Sequence, residues 1–286
     1  MTFSIVACDR DAPSGPEWGV AVASRFLAVG SLVPWARAEV GAIATQAFAS
    51  IRYGSEGLEL LAEGADARSV ARALTEADEQ RAQRQVGIVD ARGRAATFTG
   101  EQCMHWAGGR EGAGYCCQGN ILVGPEVVDR MAEAFEAADG DLATRLVQAL
   151  AAGDAAGGDA RGRQSAALLL VRDRGGYLGE TDKTIDVRVD DHPQPVPELR
   201  RLLDLHRLYF PRPDSLEFVP IDDALAAELR SHLAARGYDP GSGTSYDNAL
   251  RDALFAYVGA ENLEERWSDE GRIEAVVLEH LRRSAP

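Results

Sequence analysis

The sequence predicts an α+β layered domain followed by a small all-α domain, and three observations carry that reading. Short apolar, β-rich runs alternate with pairs of helical patterns up to residue 210. That order fits stacked layers rather than the regular βαβ alternation of a Rossmann sheet. The segment 211–220, PRPDSLEFVP, holds three prolines and reads as a linker. From Ile221 onward the amphipathic spacing is helical only, so 221–286 is expected to be a separate helical module.

The elements follow in order. Apolar runs at 3–8 and 19–24 flank DRDAPSGPE, whose Asp, Pro, Ser and Gly residues turn the chain into a hairpin. GAIATQAF supplies a third strand. Helical patterns cover 55–63 and 67–79, with GAD between them as a stop and a new cap. In RQVGIVDARGRAATFTG two β-branched runs close around ARG as a second hairpin. Strands are expected near 104–107 and 116–123, their limits blurred by the glycines of AGGREGAGY. Helices fit 125–138, with Pro in the first turn, and 141–152. AAGDAAGGDARGRQSAALLLVR passes from a Gly-rich loop into a continuous apolar strand, which belongs in the middle of a sheet covered on both faces. A last strand at 184–189 leads through DDHPQPVPEL into a helix. In the C-terminal module, helices are expected at 222–236, 245–257 and 269–283.

Composition excludes several function classes. A formal net charge of −15 and a pI near 4.8 leave no phosphate-tracking surface, so neither DNA nor RNA is expected as a partner. No signal-peptide pattern and no bilayer-length apolar run is present, which makes the cytoplasm the expected compartment and a membrane partner unexpected. Cys8, Cys103, Cys116 and Cys117 lack the spacing of a disulfide framework or of a zinc site and read as reduced, mostly buried thiols. Neither a metal nor an organic cofactor is expected. GGDARG lacks the Lys-Ser/Thr ending of a phosphate loop and precedes a strand, which excludes nucleotide binding there.

The residue types that can do chemistry begin at Thr2. Removal of Met1 would leave one residue holding a hydroxyl nucleophile and an α-amine of pKa about 7.7–8.0 to take its proton, fixed by the apolar strand behind it. The alternative is an ordinary first strand. The stretch TFSIVACDRDAPSGPEWGVAVASRFLAVG resembles the opening of the N-terminal-nucleophile (Ntn) hydrolases, such as proteasome β-subunits. Five blocks in order, AVASRFLAVGSLVPWARAEVGAIATQA, RQVGIVD, QGNILVG, AAGDAAGGDARGRQSAALLLV and VDDHPQPVPEL, resemble the DUF1028 family over residues 2–208. That resemblance implies an αββα four-layer sandwich of Ntn-hydrolase type, with Thr2 as nucleophile. Where proteasome subunits have an acid before the Ser-Arg pair, this chain has Ala23, followed by Ser24 and Arg25. A proteasome-type charge network is therefore not expected.

Other candidates gather around these blocks. Arg25 and Arg37 either anchor a substrate carboxylate or pair with structural acids. Asp159, Arg161, Arg163, Gln164 and Ser165 lie on a Gly-rich loop entering the central strand, where backbone N–H groups can hold an oxyanion or simply form a turn. Asn120 is an oxyanion or substrate donor, or a turn residue beside Gly119. Asp190 and His192 offer acid/base groups, although a helix-entry cap accounts for them as well. Trp35 and Trp106 line a pocket or pack in the core.

LAARGYDPGSGTSYDNALRDALFAYVGAENLEERW resembles small helical peptidoglycan-binding modules, which implies a peptide or glycan-peptide ligand, or an interaction role. The expected function is hydrolysis of a small, amino-acid-derived amide by Thr2, with oxyanion donors near Asn120, Gln164 and Ser165. The alternative is a non-catalytic binding protein on the same scaffold that recruits a ligand through its helical module. Layered sandwiches pair through helical faces, which leaves a homo-oligomer open without fixing its number.

Overall fold

The computed structural model describes residues 2–212 and 215–283, and the chain divides into two compact units, Met1–Leu202 and Leu203–Pro286. Pro213 and Asp214 of the expected linker lie outside the described residues.

The first unit holds two antiparallel sheets. The larger is built from β1 (Thr2–Asp9), β2 (Glu17–Ser24), β7 (Trp106–Gly112), β8 (Tyr115–Leu122), β9 (Ser165–Val171) and β10 (Lys183–Val189), in the order β10-β9-β2-β1-β8-β7. The smaller joins β3 (Pro34–Arg37), β4 (Gly41–Ala47), β5 (Arg84–Asp90) and β6 (Ala95–Thr99) in sequence order. Strands β1, β2, β8 and β9 are buried along almost their whole length, as strands covered on both faces are, and β9 is apolar throughout after Ser165. Alternate residues point to opposite faces. On one face Val6, Val20, Val22, Cys116 and Leu169 meet Ala42, Ala44 and Val89 of the smaller sheet in a shared core.

Helices occupy the outer faces. Helices α1 (Ile51–Ala62) and α2 (Ala67–Glu76) cover the smaller sheet, where Leu58, Leu61, Val70 and Leu74 pack on Ile43, Val86 and Ile88. Asp66 caps α2 by accepting from Ser69 N. Trp35 lies flat where a side chain at Gly54 would be, so α1 approaches β3 closely only because residue 54 is glycine. Helices α3 (Glu126–Ala137) and α4 (Leu142–Ala155) sit over the larger sheet. There Met131 and Phe3 crowd Gly153, and Leu146 crowds Gly19.

Three local expectations are corrected. Strand β3 is not among the expected strands, because its four residues carry a proline and a tryptophan and no alternation. Strand β7 runs through the Gly108-Gly109 pair rather than ending at 107. The expected helix at 269–283 begins only at α8 (Ala275–Arg283), because Gly271 takes φ +67° and turns Arg272–Glu274 into strand β12. That strand pairs antiparallel with β11 (Phe218–Pro220), inside the segment read as a linker.

Helix α5 (Pro195–Tyr209) carries the boundary between the units. The second unit packs α6 (Asp223–Ala235), α7 (Asn248–Ala260) and α8 around Leu229, Leu233, Leu254, Tyr257 and Leu281. Two buried arginines pin its loops: Arg230 pairs with Asp247 at 2.8 Å, and Arg266 pairs with Glu274 at 2.9 Å while donating to the carbonyls of Arg207 and Leu208. No helix of the described residues is long and apolar enough to cross a membrane.

Candidate active site

Strand register assembles the site. Thr2 pairs with Asn120 across β1 and β8, Phe3 pairs with Ala23 across β1 and β2, and Ser24 pairs with Ser165 across β2 and β9. Asn120, Thr2, Ser24 and Ser165 therefore form a row over four adjacent strands. They point to the inner face, in phase with Val6, Val22, Cys116 and Leu169. Thr2 Oγ1 and Ser24 Oγ share a hydrogen bond of 3.2 Å, and both residues are buried. Met1, whose removal would expose the Thr2 amine, lies outside the described residues.

The space between the sheets changes character along the strands. Its far end is apolar, whereas the Thr2 end is filled by the amide of Asn120 and by three glutamines, Gln46, Gln85 and Gln118, that the sequence did not single out. Asn120 Nδ2 donates to Gln85 Oε1 at 2.8 Å, and Gln46 Nε2 donates to the same oxygen at 2.8 Å. Gln85 Nε2 donates to Thr99 Oγ1 and to the Gly119 carbonyl, at 2.9 and 2.7 Å, which fixes which way its amide points. Gln118 Nε2 donates to Ser4 Oγ, and Ser4 donates to Gln46 Oε1, each at 2.7 Å. Gln46 Nε2 also reaches the Thr2 carbonyl at 3.4 Å. Ser4, Gln85 and Gln118 are fully buried, so every bond in this mesh replaces one that water would otherwise make. A side chain at Gly87 would occupy the place of the Gln118 amide, so the mesh also requires that glycine.

At this end the sheets part into a cavity of about 190 Å³. Ala47, Phe48, Met104 and Ile121 form its apolar wall, and Gln83, Gln102, Asn120 and Arg161 its polar wall. Cys103 also faces it, and burial pushes that thiol above its ordinary pKa, keeping it protonated at neutral pH. Two cavity residues hold left-handed backbone: Ala47 at φ 68° and the β-branched Ile121 at φ 50°. Such conformations persist where the surroundings dictate them. Ile121 is held by its N–H on the Met104 carbonyl and its carbonyl on Ala160 N, each at 3.1 Å.

The remaining candidates divide. Asp159 is buried and accepts from Arg25 N at 2.8 Å and Arg161 N at 2.9 Å, while its carboxylate pairs with the Arg161 guanidinium at 3.1 Å. It thereby fixes the 157–163 loop beside the end of β8. Arg163 pairs with Asp154 at 2.7 Å, and that hydrogen bond raises its pKa further. Arg25 is exposed, and its Nη1 donates to the Arg163 carbonyl at 3.0 Å. Ser165 spends its hydroxyl on the turn after β2, accepting from Val29 N and donating to the Phe26 carbonyl. Gln164 Nε2 donates to Asp191 at 3.1 Å. His192 Nδ1 accepts from Gln194 N at 3.0 Å, and Asp190 offers its carbonyl to Ala28 N at 2.9 Å. These two therefore act at the entry to α5 and in the 25–29 turn. Arg37 pairs with Glu59 at 2.6 Å. Neither Trp35 nor Trp106 lines the cavity. Among the described residues, no three His, Cys, Asp or Glu side chains come together as a metal site.

Residues 2–199 match the family model described as "Family of unknown function (DUF1028)". This chain is a member of the DUF1028 family. A crystal structure of the DUF1028 protein SPO2555 from Silicibacter pomeroyi is similar at 32% identity and a TM-score of 0.65, covering 72% of this chain and 89% of that one. Residues 209–281 match a second model, "Putative peptidoglycan binding domain". No curated protein matches this DUF1028 chain.

Proposed function

We propose that the first unit is an αββα Ntn-type hydrolase and that Thr2, after loss of Met1, hydrolyses a small amide. The observation that carries this reading is the buried row of Asn120, Thr2 and Ser24 at the polar end of the inter-sheet space, with Thr2 Oγ1 bonded to Ser24 Oγ. Two sheets with helices on both outer faces support it.

In this mechanism the α-amine takes the Thr2 hydroxyl proton as Oγ1 attacks the amide carbonyl. The same amine returns that proton to the departing nitrogen, and water then attacks the acyl-threonine ester to release the acid. Ser24 orients Oγ1. Asn120 gives one Nδ2 hydrogen to Gln85 and keeps the second for the oxyanion, and it borders the cavity from which the carbonyl would approach. Arg25 supplies a cation for a substrate carboxylate.

The test is mass spectrometry of the N-terminal tryptic peptide, ending at Arg10, after treating the purified protein with a β-lactone. The expected result is a peptide beginning at Thr2 and acylated there. Cys8 is a poor competitor, because burial raises its thiol pKa to about 11. Retained Met1, or a processed Thr2 left unlabelled by several such probes, overturns the proposal.

A second reading, a non-catalytic binding protein that uses its C-terminal module, is favoured by Ala23 standing where an acid would support the nucleophile. Thr2→Ser and Thr2→Ala separate the two. An enzyme keeps partial turnover with Ser and loses nearly all with Ala, whereas a binder holds its ligand with either.

A further inference from the structure

The Thr2 end of the first unit is apolar at its surface as well as polar within. Phe48 and Met104 line the cavity and are 62% and 57% exposed, and Ile51 and Val123, just beyond β4 and β8, are 56% and 55% exposed. Phe26 and Leu27, in the turn after β2, are 48% and 59% exposed at the same end. Scattered single apolar side chains need no explanation, but exposed apolar side chains that line a cavity, as Phe48 and Met104 do, mark a binding surface.

Cationic side chains gather at this end, each beside an acid or a carbonyl. In a protein of net charge −15, Arg25, Arg161 and Arg163 converge on the 157–163 loop. Asp159 and Asp154 answer Arg161 and Arg163, whereas the Arg25 guanidinium donates to the Arg163 carbonyl and only its backbone N–H meets a carboxylate, that of Asp159. Arg25 directly follows Ser24, whose hydroxyl touches Thr2, and its guanidinium reaches the Arg163 carbonyl two residues before Ser165, the outer member of the row.

We propose that the site takes an amphiphilic amide: an apolar acyl chain in the cavity between Phe48 and Met104, and a carboxylate on the amine side held by Arg25. An N-acyl amino acid has that chemistry. Its acyl carbonyl would lie at Asn120, the one residue shared by the nucleophile row and the cavity wall. This inference names the substrate class of the site proposed above and rests on that reading for the hydrolytic step alone.

The test is calorimetric titration of the full-length Thr2→Ala chain with N-acylglycines carrying two to eight acyl carbons, and with the uncharged amide of N-octanoylglycine. Affinity should rise roughly threefold per methylene until the cavity is filled. It should fall at least about tenfold when the carboxylate is amidated. Phe48→Ser should flatten the chain-length dependence, and Arg25→Gln should abolish the preference for the carboxylate while leaving that dependence intact. Equal affinity across chain lengths, equal affinity for acid and amide, or no binding at all overturns the substrate class. Assay of the wild-type chain with the same series separates the two proposals. Graded binding without acid release sinks the hydrolase and keeps the ligand, whereas equal hydrolysis of acetyl- and octanoylglycine keeps the hydrolase and sinks the ligand.

Discussion

Asn120 and Gln85 join the two sheets of the first unit through one hydrogen bond, Nδ2 to Oε1 at 2.8 Å, although 35 residues separate them in the chain. Gln85 is itself held from the smaller sheet by Thr99 and from the larger by the Gly119 carbonyl, so the orientation of Asn120 beside Thr2 is set by the meeting of the sheets.

Replacing Gln85 by Leu would leave the amides of Asn120 and Gln46 and the Gly119 carbonyl short of partners in a dry interior. The expected loss is about 2–4 kcal/mol of stability, the cost of stranding buried polar groups. Urea unfolding followed by circular dichroism measures it, and a change below about 0.5 kcal/mol would mean that water enters and satisfies the mesh.

Asn120→Ala removes the proposed oxyanion donor while sparing Thr2. Acylation of Thr2 by the β-lactone should slow by about 10²–10³-fold. Stopped time courses of adduct formation read this, and an unchanged rate assigns the oxyanion to another donor.

Asp78 predicts a pH dependence. Burial pushes its carboxyl up, but hydrogen bonds from Arg84, Gln80 N and Tyr53 prevail and hold it below its ordinary value of 3.8. A depressed folded pKa contributes stability that is present above the unfolded value and lost as pH falls through the folded one. Asp78→Asn should therefore lower stability at pH 7 and shrink the loss between pH 7 and pH 3. Urea midpoints at the two pH values decide it, since an undiminished loss removes Asp78 from the acid response.

In the second unit, Arg266→Met leaves the Glu274 carboxylate buried without its guanidinium, its remaining bonds coming from Val276 N and Val277 N at the start of α8. The expected cost is about 3–5 kcal/mol. Adding Glu274→Gln should restore part of it. Trp267 fluorescence during denaturation of the full chain reports the change, and no recovery in the double variant would place the cost in lost packing.

The sequence by itself determined most of the elements, though not β3, β11 or β12, and the residue types of the polar row. Apolar runs made β1, β2 and β9 strands, period and caps made α1 to α4 and α6 to α7 helices, and Thr2 behind Met1, Asn120 beside Gly119 and Ser165 after the Gly-rich loop stood out as polar candidates. These are local properties, written in periods of two and 3.6 residues and in capping side chains. Tertiary structure alone decided which of those groups meet. Gln46, Gln85 and Gln118 look like ordinary strand glutamines until strands up to 72 residues apart pack face to face and deny them water. The same packing spends Ser165 on a turn and gives Asn120 to the cavity. Burial and hydrogen-bond partnership are properties of pairs, and no single segment of this chain carries them.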